Sequence, residues 1–133
     1  MEFIIKESKI NTLMPPIDAA SGLVKVYIAG KISGLDPVFV EQKFLEYEIA
    51  LRAKGYLPFN PYAYVSEVNE FRKSFGWAPL TDESDRNKIM RLCVGNLMEC
   101  DEIHLLPCWV DSQGARTELE IAQKFGIRTV YCT

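Results

Sequence analysis

From residue 24 onward the apolar positions alternate between short runs and helical spacing, which predicts strands and helices in turn. Val24–Ala29 (VKVYIA) is a compact run of branched and aromatic residues closed by Gly30, and it predicts a first strand. Asp36-Pro37 then offers a cap followed by a proline at the first helical position. Val40, Phe44, Tyr47 and Leu51 fall on one helical face, and Gly55 stops that helix before Tyr56–Phe59, a second strand ending at Asn60-Pro61. Together these pieces form a βαβ unit.

Between Pro61 and Ser84 the pattern is less regular, with a short helix expected near Val65–Phe75. Asp85–Met98 carries an apolar stripe of Ile89, Cys93 and Leu97, flanked by Met90 and Val94, and leads into a third strand at Ile103–Leu106. A last helix, Ala115–Phe125, ends at Gly126 and delivers Arg128–Tyr131 as a final strand. The expected fold class is therefore α/β: a three-layer Rossmann/flavodoxin-like sandwich with a mostly parallel sheet of four to five strands and right-handed crossovers. The usual spatial order 2-1-3-4 makes the first and third strands neighbours, and ligands bind beyond the carboxyl ends of the strands where the winding reverses. Two segments meet there, Gly30–Gly34 and Pro107–Glu118. Residues 1–23, with a possible edge strand at Phe3–Ile5 and a helix-blocking Pro15-Pro16, are expected to be an extension packed on a domain of residues 24–133.

Composition narrows the partners. The 133 residues, 48% hydrophobic and 25% charged, suit a single globular domain. A net charge of -3 from 15 basic and 18 acidic residues, with no dense basic tract, argues against a nucleic-acid polymer as partner. Apolar runs such as Ile103–Leu106 fall far short of the ~20 residues of a membrane span, and the N-terminus lacks the features of a secretory signal, so no membrane association and a cytoplasmic location are expected. Cys93, Cys100, Cys108 and Cys132 form no C-x-x-C pair and the single histidine, His104, sits in an apolar run. Reduced thiols, no metal site and a core role for His104 follow.

Gly30-Lys31-Ile32-Ser33-Gly34 places two glycines and a hydroxyl in a strand-to-helix turn, where backbone N–H groups can converge on an anion. The same glycines could serve only to turn the chain. It is neither G-x-G-x-x-G nor a Walker loop, which removes the usual anchor for NAD or ATP hydrolysis. In the second segment Glu118 lies three, four and seven residues before Ile121, Ala122 and Phe125, on the face turned to the sheet, while Glu120, Gln123 and Lys124 point outward. A carboxylate on the inner face of a first helical turn would be kept ionised by the helix N-terminus and be available as a nucleophile. Alternatively Thr117-x-x-Glu120 is a capping box and Glu118 stabilises the helix dipole. Asp101 opens the third strand, Asp111 and Ser112 sit in the loop before Glu118, and Trp77, Trp109, Tyr27 and Tyr62 could present flat faces to a ring.

VYIAGKISG, GYLPFNP and LMECDEIHLLPCWVDSQGARTELEIAQKFGI resemble the bacterial and phage domain family DUF4406. That family in turn resembles the nucleoside 2-deoxyribosyltransferases and the 2'-deoxynucleoside 5'-phosphate N-hydrolases. The resemblance implies that Glu118, in Gly114-Ala115-Arg116-Thr117-Glu118, attacks C1' of a deoxyribose, with Tyr27 beside it. It also implies that Gly30–Gly34, through Gly30, Lys31, Ile32, Ser33 and Gly34, holds a 5'-phosphate together with Ser112 and Gly114, and it adds Asn60 to the binding residues. Where the related enzymes have an aspartate eight residues before Asp101, this chain has Cys93, so Asp111 or Asp85 would have to protonate the departing base.

The expected function is cleavage or transfer at the N-glycosidic bond of a (deoxy)nucleoside 5'-monophosphate or related nucleotide, with no cofactor and with a small-molecule nucleoside or nucleotide as partner. A homodimer or higher homo-oligomer is expected by analogy. The alternatives are a non-catalytic nucleotide-binding or sensor protein on the same scaffold and a purely structural domain.

Overall fold

A computed structural model describes residues 22–133; the expectations for the N-terminal extension lie outside the described residues. The order is β1 (Lys25–Ala29), α1 (Pro37–Ala53), β2 (Leu57–Phe59), α2 (Pro61–Ser74), α3 (Arg86–Leu97), β3 (Glu102–Leu105), a 3-10 turn (Pro107–Asp111), α4 (Gln113–Lys124) and β4 (Arg128–Tyr131). The four strands form one sheet in the order β2-β1-β3-β4, every pairing parallel. This is the expected three-layer Rossmann/flavodoxin-like α/β sandwich, and β1 and β3 do lie side by side, with Tyr27 opposite Ile103 and Ala29 opposite Leu105.

Alternation along β1 divides the core. Val26 and Ile28 pack with Val40, Phe44 and Leu51 of α1 on one face. Tyr27 and Ala29, with Ile103 and Leu105 of β3, pack on the other face with Cys93 and Leu97 of α3 and Ala115, Leu119 and Ala122 of α4. The start of α1 is set as expected: the Asp36 carboxylate accepts from the Phe39 amide at 3.2 Å, and Pro37 follows it.

Two helix starts and one connecting segment differ from the sequence reading. α2 begins at Pro61, because Asn60 caps it by accepting from the Ala63 amide at 3.1 Å. The 3-10 turn occupies what reads as loop. α4 begins at Gln113, with Ser112 as its cap accepting from Ala115 N at 3.0 Å. No Thr117-Glu120 capping box forms, since the Thr117 hydroxyl donates to Gln113 O inside the helix at 2.9 Å. Phe125, expected on the inner face, lies past the end of α4 and is exposed.

His104 is a core residue as expected. It shares a 2.8 Å hydrogen bond with buried Glu102 and a 2.6 Å one with the Tyr47 hydroxyl of α1, and Arg128 donates to Glu102 at 2.9 Å. Asp101 accepts from the Lys25 amide at 2.9 Å and so ties the starts of β3 and β1 together rather than entering any site.

Candidate active site at the switch point

Beyond the carboxyl ends of β1 and β3 lies a cavity of about 800 Å³, within the range of small-molecule sites. One wall is the Gly30–Gly34 loop; another is the start of α4 with Asp111, Ser112, Gly114 and Glu118. α2 contributes Tyr62, Val65 and Asn69, and α3 contributes Arg86, Met90 and Cys93. The segment between α2 and α3 closes the mouth with Thr81, Asp82 and Glu83.

The loop's first glycine is required by packing. A Cβ at Gly30 would stand 3.1 and 3.2 Å from Leu106 side-chain carbons and 3.4 Å from Phe44. Gly34 adopts φ 81°, which closes the turn before α1.

Glu118 is the buried carboxyl in the cavity wall. It is only 8% exposed, and the hydroxyl of fully buried Tyr27 donates to its Oε2 at 2.5 Å. β1 alternation aims Tyr27 at this face, and its ring is stacked on Phe59, with ring centres 5.3 Å apart. Burial pushes the Glu118 carboxyl up from 4.5 to about 7, partly offset by the Tyr27 hydrogen bond. This corrects the expectation that the helix N-terminus keeps it ionised. Glu118 stands in the second turn of α4, five residues past Gln113, where the terminal field has faded and desolvation prevails. Burial, then the nearby Glu118 charge, drives the Tyr27 hydroxyl well above its usual 10, so it remains a proton donor. The same two causes push the Cys93 thiol up to about 11, so it stays protonated beside the carboxyl.

Of the residues singled out from the sequence, Gly30, Lys31, Ile32, Ser33, Gly34, Asp111, Ser112, Gly114 and Glu118 line the one cavity, with Tyr27 behind Glu118. Asn60 does not line it: its carbonyl caps α2 and its amide donates to Glu48 at 3.0 Å. Asp85 folds the segment between α2 and α3, accepting from Thr81 N at 3.0 Å, and does not line the cavity. Among the proposed aromatic faces only Tyr62 is in the wall; Trp109 packs on Tyr131 and Trp77 on Phe75. Sequence reasoning missed Asp82 and Arg86. Neither has a local signal, since Asp82 in the segment before α3 and Arg86 at the first position of α3 reach the cavity only through the tertiary fold.

Among the described residues no cluster of three or more His, Cys, Asp or Glu is placed to hold a metal, the four cysteines are free, and no helix is long and apolar enough to cross a membrane.

The architecture defines a Rossmann-like α/β domain with a small-molecule-sized cavity at its switch point and a buried carboxyl in the wall. The chain belongs to the family described as Domain of unknown function (DUF4406), whose model matches residues 24–131. No curated protein matches it.

Proposed function

We propose that the cavity cleaves, or transfers across, the N-glycosidic bond of a deoxynucleoside 5'-monophosphate or a related nucleotide, with Glu118 as nucleophile. The observation that carries this reading is the buried Glu118 carboxyl, held through Oε2 by Tyr27, in the wall of a cavity that the Gly30–Gly34 loop also lines. In this reading the ionised carboxylate attacks C1', the C1'–N bond breaks with its electron pair leaving on the base, and the base takes a proton. Water or a second base then displaces the glycosyl ester and frees the carboxylate. Tyr27 orients the nucleophile, Asp111 exchanges the proton with the base, and the loop amides with the Ser112 hydroxyl receive the phosphate. The Ser112 oxygen already accepts from Ala115 N, and its hydrogen remains for an anion.

The resemblance to nucleoside 2-deoxyribosyltransferases and deoxynucleotide N-hydrolases supports the same chemistry, and a cytoplasmic homo-oligomer belongs to that reading. Incubation with a panel of deoxynucleotides and ribonucleotides, followed by chromatography for free base, tests it. Base release lost in Glu118→Gln supports it; no release from any member of the panel overturns it. A second reading, a non-catalytic nucleotide-binding protein, draws on Cys93, a protonated thiol of high pKa where the related enzymes carry an acid. It expects nucleotide-induced stabilisation without base release.

A further inference from the structure

The mouth of the cavity is crossed by the strap between α2 and α3, and two features fix how it crosses. Asn69 grips Leu80 at both backbone groups, donating to its carbonyl at 3.1 Å and accepting from its amide at 2.7 Å, while the Leu80 side chain is buried. Arg72 adds a hydrogen bond of 2.8 Å to Ala78 O. Past Leu80 the chain closes a small turn, Asp85 N donating to Thr81 O at 2.8 Å and Thr81 N to the Asp85 carboxylate. This projects Asp82 across the mouth.

There the Asp82 carboxylate accepts a hydrogen bond from the Ser33 hydroxyl of the Gly30–Gly34 loop, and Arg86 lies 3.5 Å from the same oxygen. Ser33 and Arg86 are both donors of the kind that greets an anionic ligand group, and both are taken by a carboxylate of the chain itself. Glu83 lines the mouth beside it, so an incoming anion meets two negative side chains before it reaches the loop.

We propose that Asp82 is an internal competitor for the anion position of the cavity: its carboxylate holds the Ser33 hydroxyl and the Arg86 guanidinium until an anionic ligand group displaces it. The proposal rests on the reading of this cavity as one that takes the anionic group of a nucleotide. Binding is then an exchange of one anion for another at Ser33, with the Leu80 anchor as the fixed point about which the strap tip moves aside. The carboxylate also filters ligands, since a neutral nucleoside gains nothing at Ser33 to offset breaking the clasp.

The test uses the full chain and inorganic phosphate, followed by calorimetry or thermal shift, with Asp82→Asn, Ser33→Ala and the double variant. Asp82→Asn keeps the shape and removes the charge. Because the pair is half exposed and screened by salt, the expected gain in phosphate affinity is about five-fold at low ionic strength, shrinking at ~0.5 M salt. Ser33→Ala should weaken phosphate binding, and in the double variant the gain from Asp82→Asn should be largely lost, a coupling that a merely structural Asp82 would not produce. Phosphate affinity unchanged or weakened in Asp82→Asn overturns the proposal, as does the absence of phosphate binding in both the parent and Asp82→Asn. Assaying base release in parallel separates the two readings. Base release with phosphate affinity unmoved by Asp82→Asn refutes the clasp alone, and a phosphate gain with no base released from any nucleotide refutes the glycosidase alone.

Discussion

Burial of Glu118 makes the protein's stability depend on pH in a way that a single substitution removes. The folded carboxyl titrates at about 7 against 4.5 for an ordinary glutamate. A carboxyl raised on folding favours the native state while it is protonated, so its contribution is complete below about 4.5 and is lost as pH climbs through 7. Integrating the proton difference between pH 5 and pH 8 with those two values gives a loss of about 2–3 kcal/mol. Glu118→Gln has nearly the same volume and no proton to lose. Every other titrating group is common to both proteins, and any constant packing penalty of the amide cancels when each protein is compared with itself at the two pH values. Urea unfolding at pH 5 and pH 8 should therefore show the parent losing about 2–3 kcal/mol more stability than Glu118→Gln over that range, equivalent to about 10 °C in differential Tm for a domain of this size. Parallel pH profiles for the two proteins would refute the reasoning, because a carboxyl that titrates at its ordinary value is not one the fold has desolvated.

The same carboxyl sets the expected rate profile: base release from an accepted nucleotide should rise with pH through about 7 as Glu118 ionises, and a flat profile between pH 5.5 and 8.5 would count against a carboxylate nucleophile. Tyr27→Phe removes the hydrogen bond that holds Glu118 down, so the rising limb should move to higher pH and stability at pH 8 should fall by about 1–3 kcal/mol; an unmoved limb would show that Tyr27 does not position the acid. Gly30→Ala drives a methyl against Leu106 at 3.1 Å and should cost about 1–3 kcal/mol in denaturant unfolding. Gly114→Ala meets the flexible end of Met90 at 3.3 Å and should cost less than about 1 kcal/mol; equal costs would contradict the packing argument.

Apolar spacing located the strands and the sheet-facing positions Val40, Phe44, Cys93, Leu97 and Ala122, because burial imposes a period that local order displays. Asp36-Pro37 was legible as a helix start, whereas Asn60-Pro61 was read only as a strand's end; the same two residue types cap α2, since an asparagine before proline serves both purposes. In the sequence Ser112 reads as a phosphate contact alone. It is also the cap of α4, and that one assignment moves Glu118 from the first turn into the second, where burial raises its pKa to about 7. The Tyr27–Glu118 bond spans 91 residues and the Ser33–Asp82 bond 49, and no local spacing encodes either partner's approach. β1 alternation shows which face Tyr27 takes, but the strap that carries Asp82 is positioned by Leu80 and Asn69, whose pairing is tertiary.

The polar residues of β3 bear on how the chain avoids wrong pairings as it folds. Glu102 and His104 face α1, where each finds partners, while Ile103 and Leu105 face α3 and α4. Four short parallel strands can slide past one another by a residue at little loss of backbone hydrogen bonds, and apolar side chains alone would tolerate the exchange of faces. In β3 such a slip turns a carboxylate and an imidazole into the wall built from Leu97, Leu119 and Ala122, with Tyr47 and Arg128 left behind on the far side. Two unsatisfied polar groups in an apolar wall cost at least about 2 kcal/mol together, a large fraction of what holds a domain of this size folded. The pair thus penalises a one-residue slip of β3. The cavity on the opposite face depends on that alignment, because the same register that seats His104 against Tyr47 brings Leu106 under Gly30 and sets the two walls of the site at their working separation.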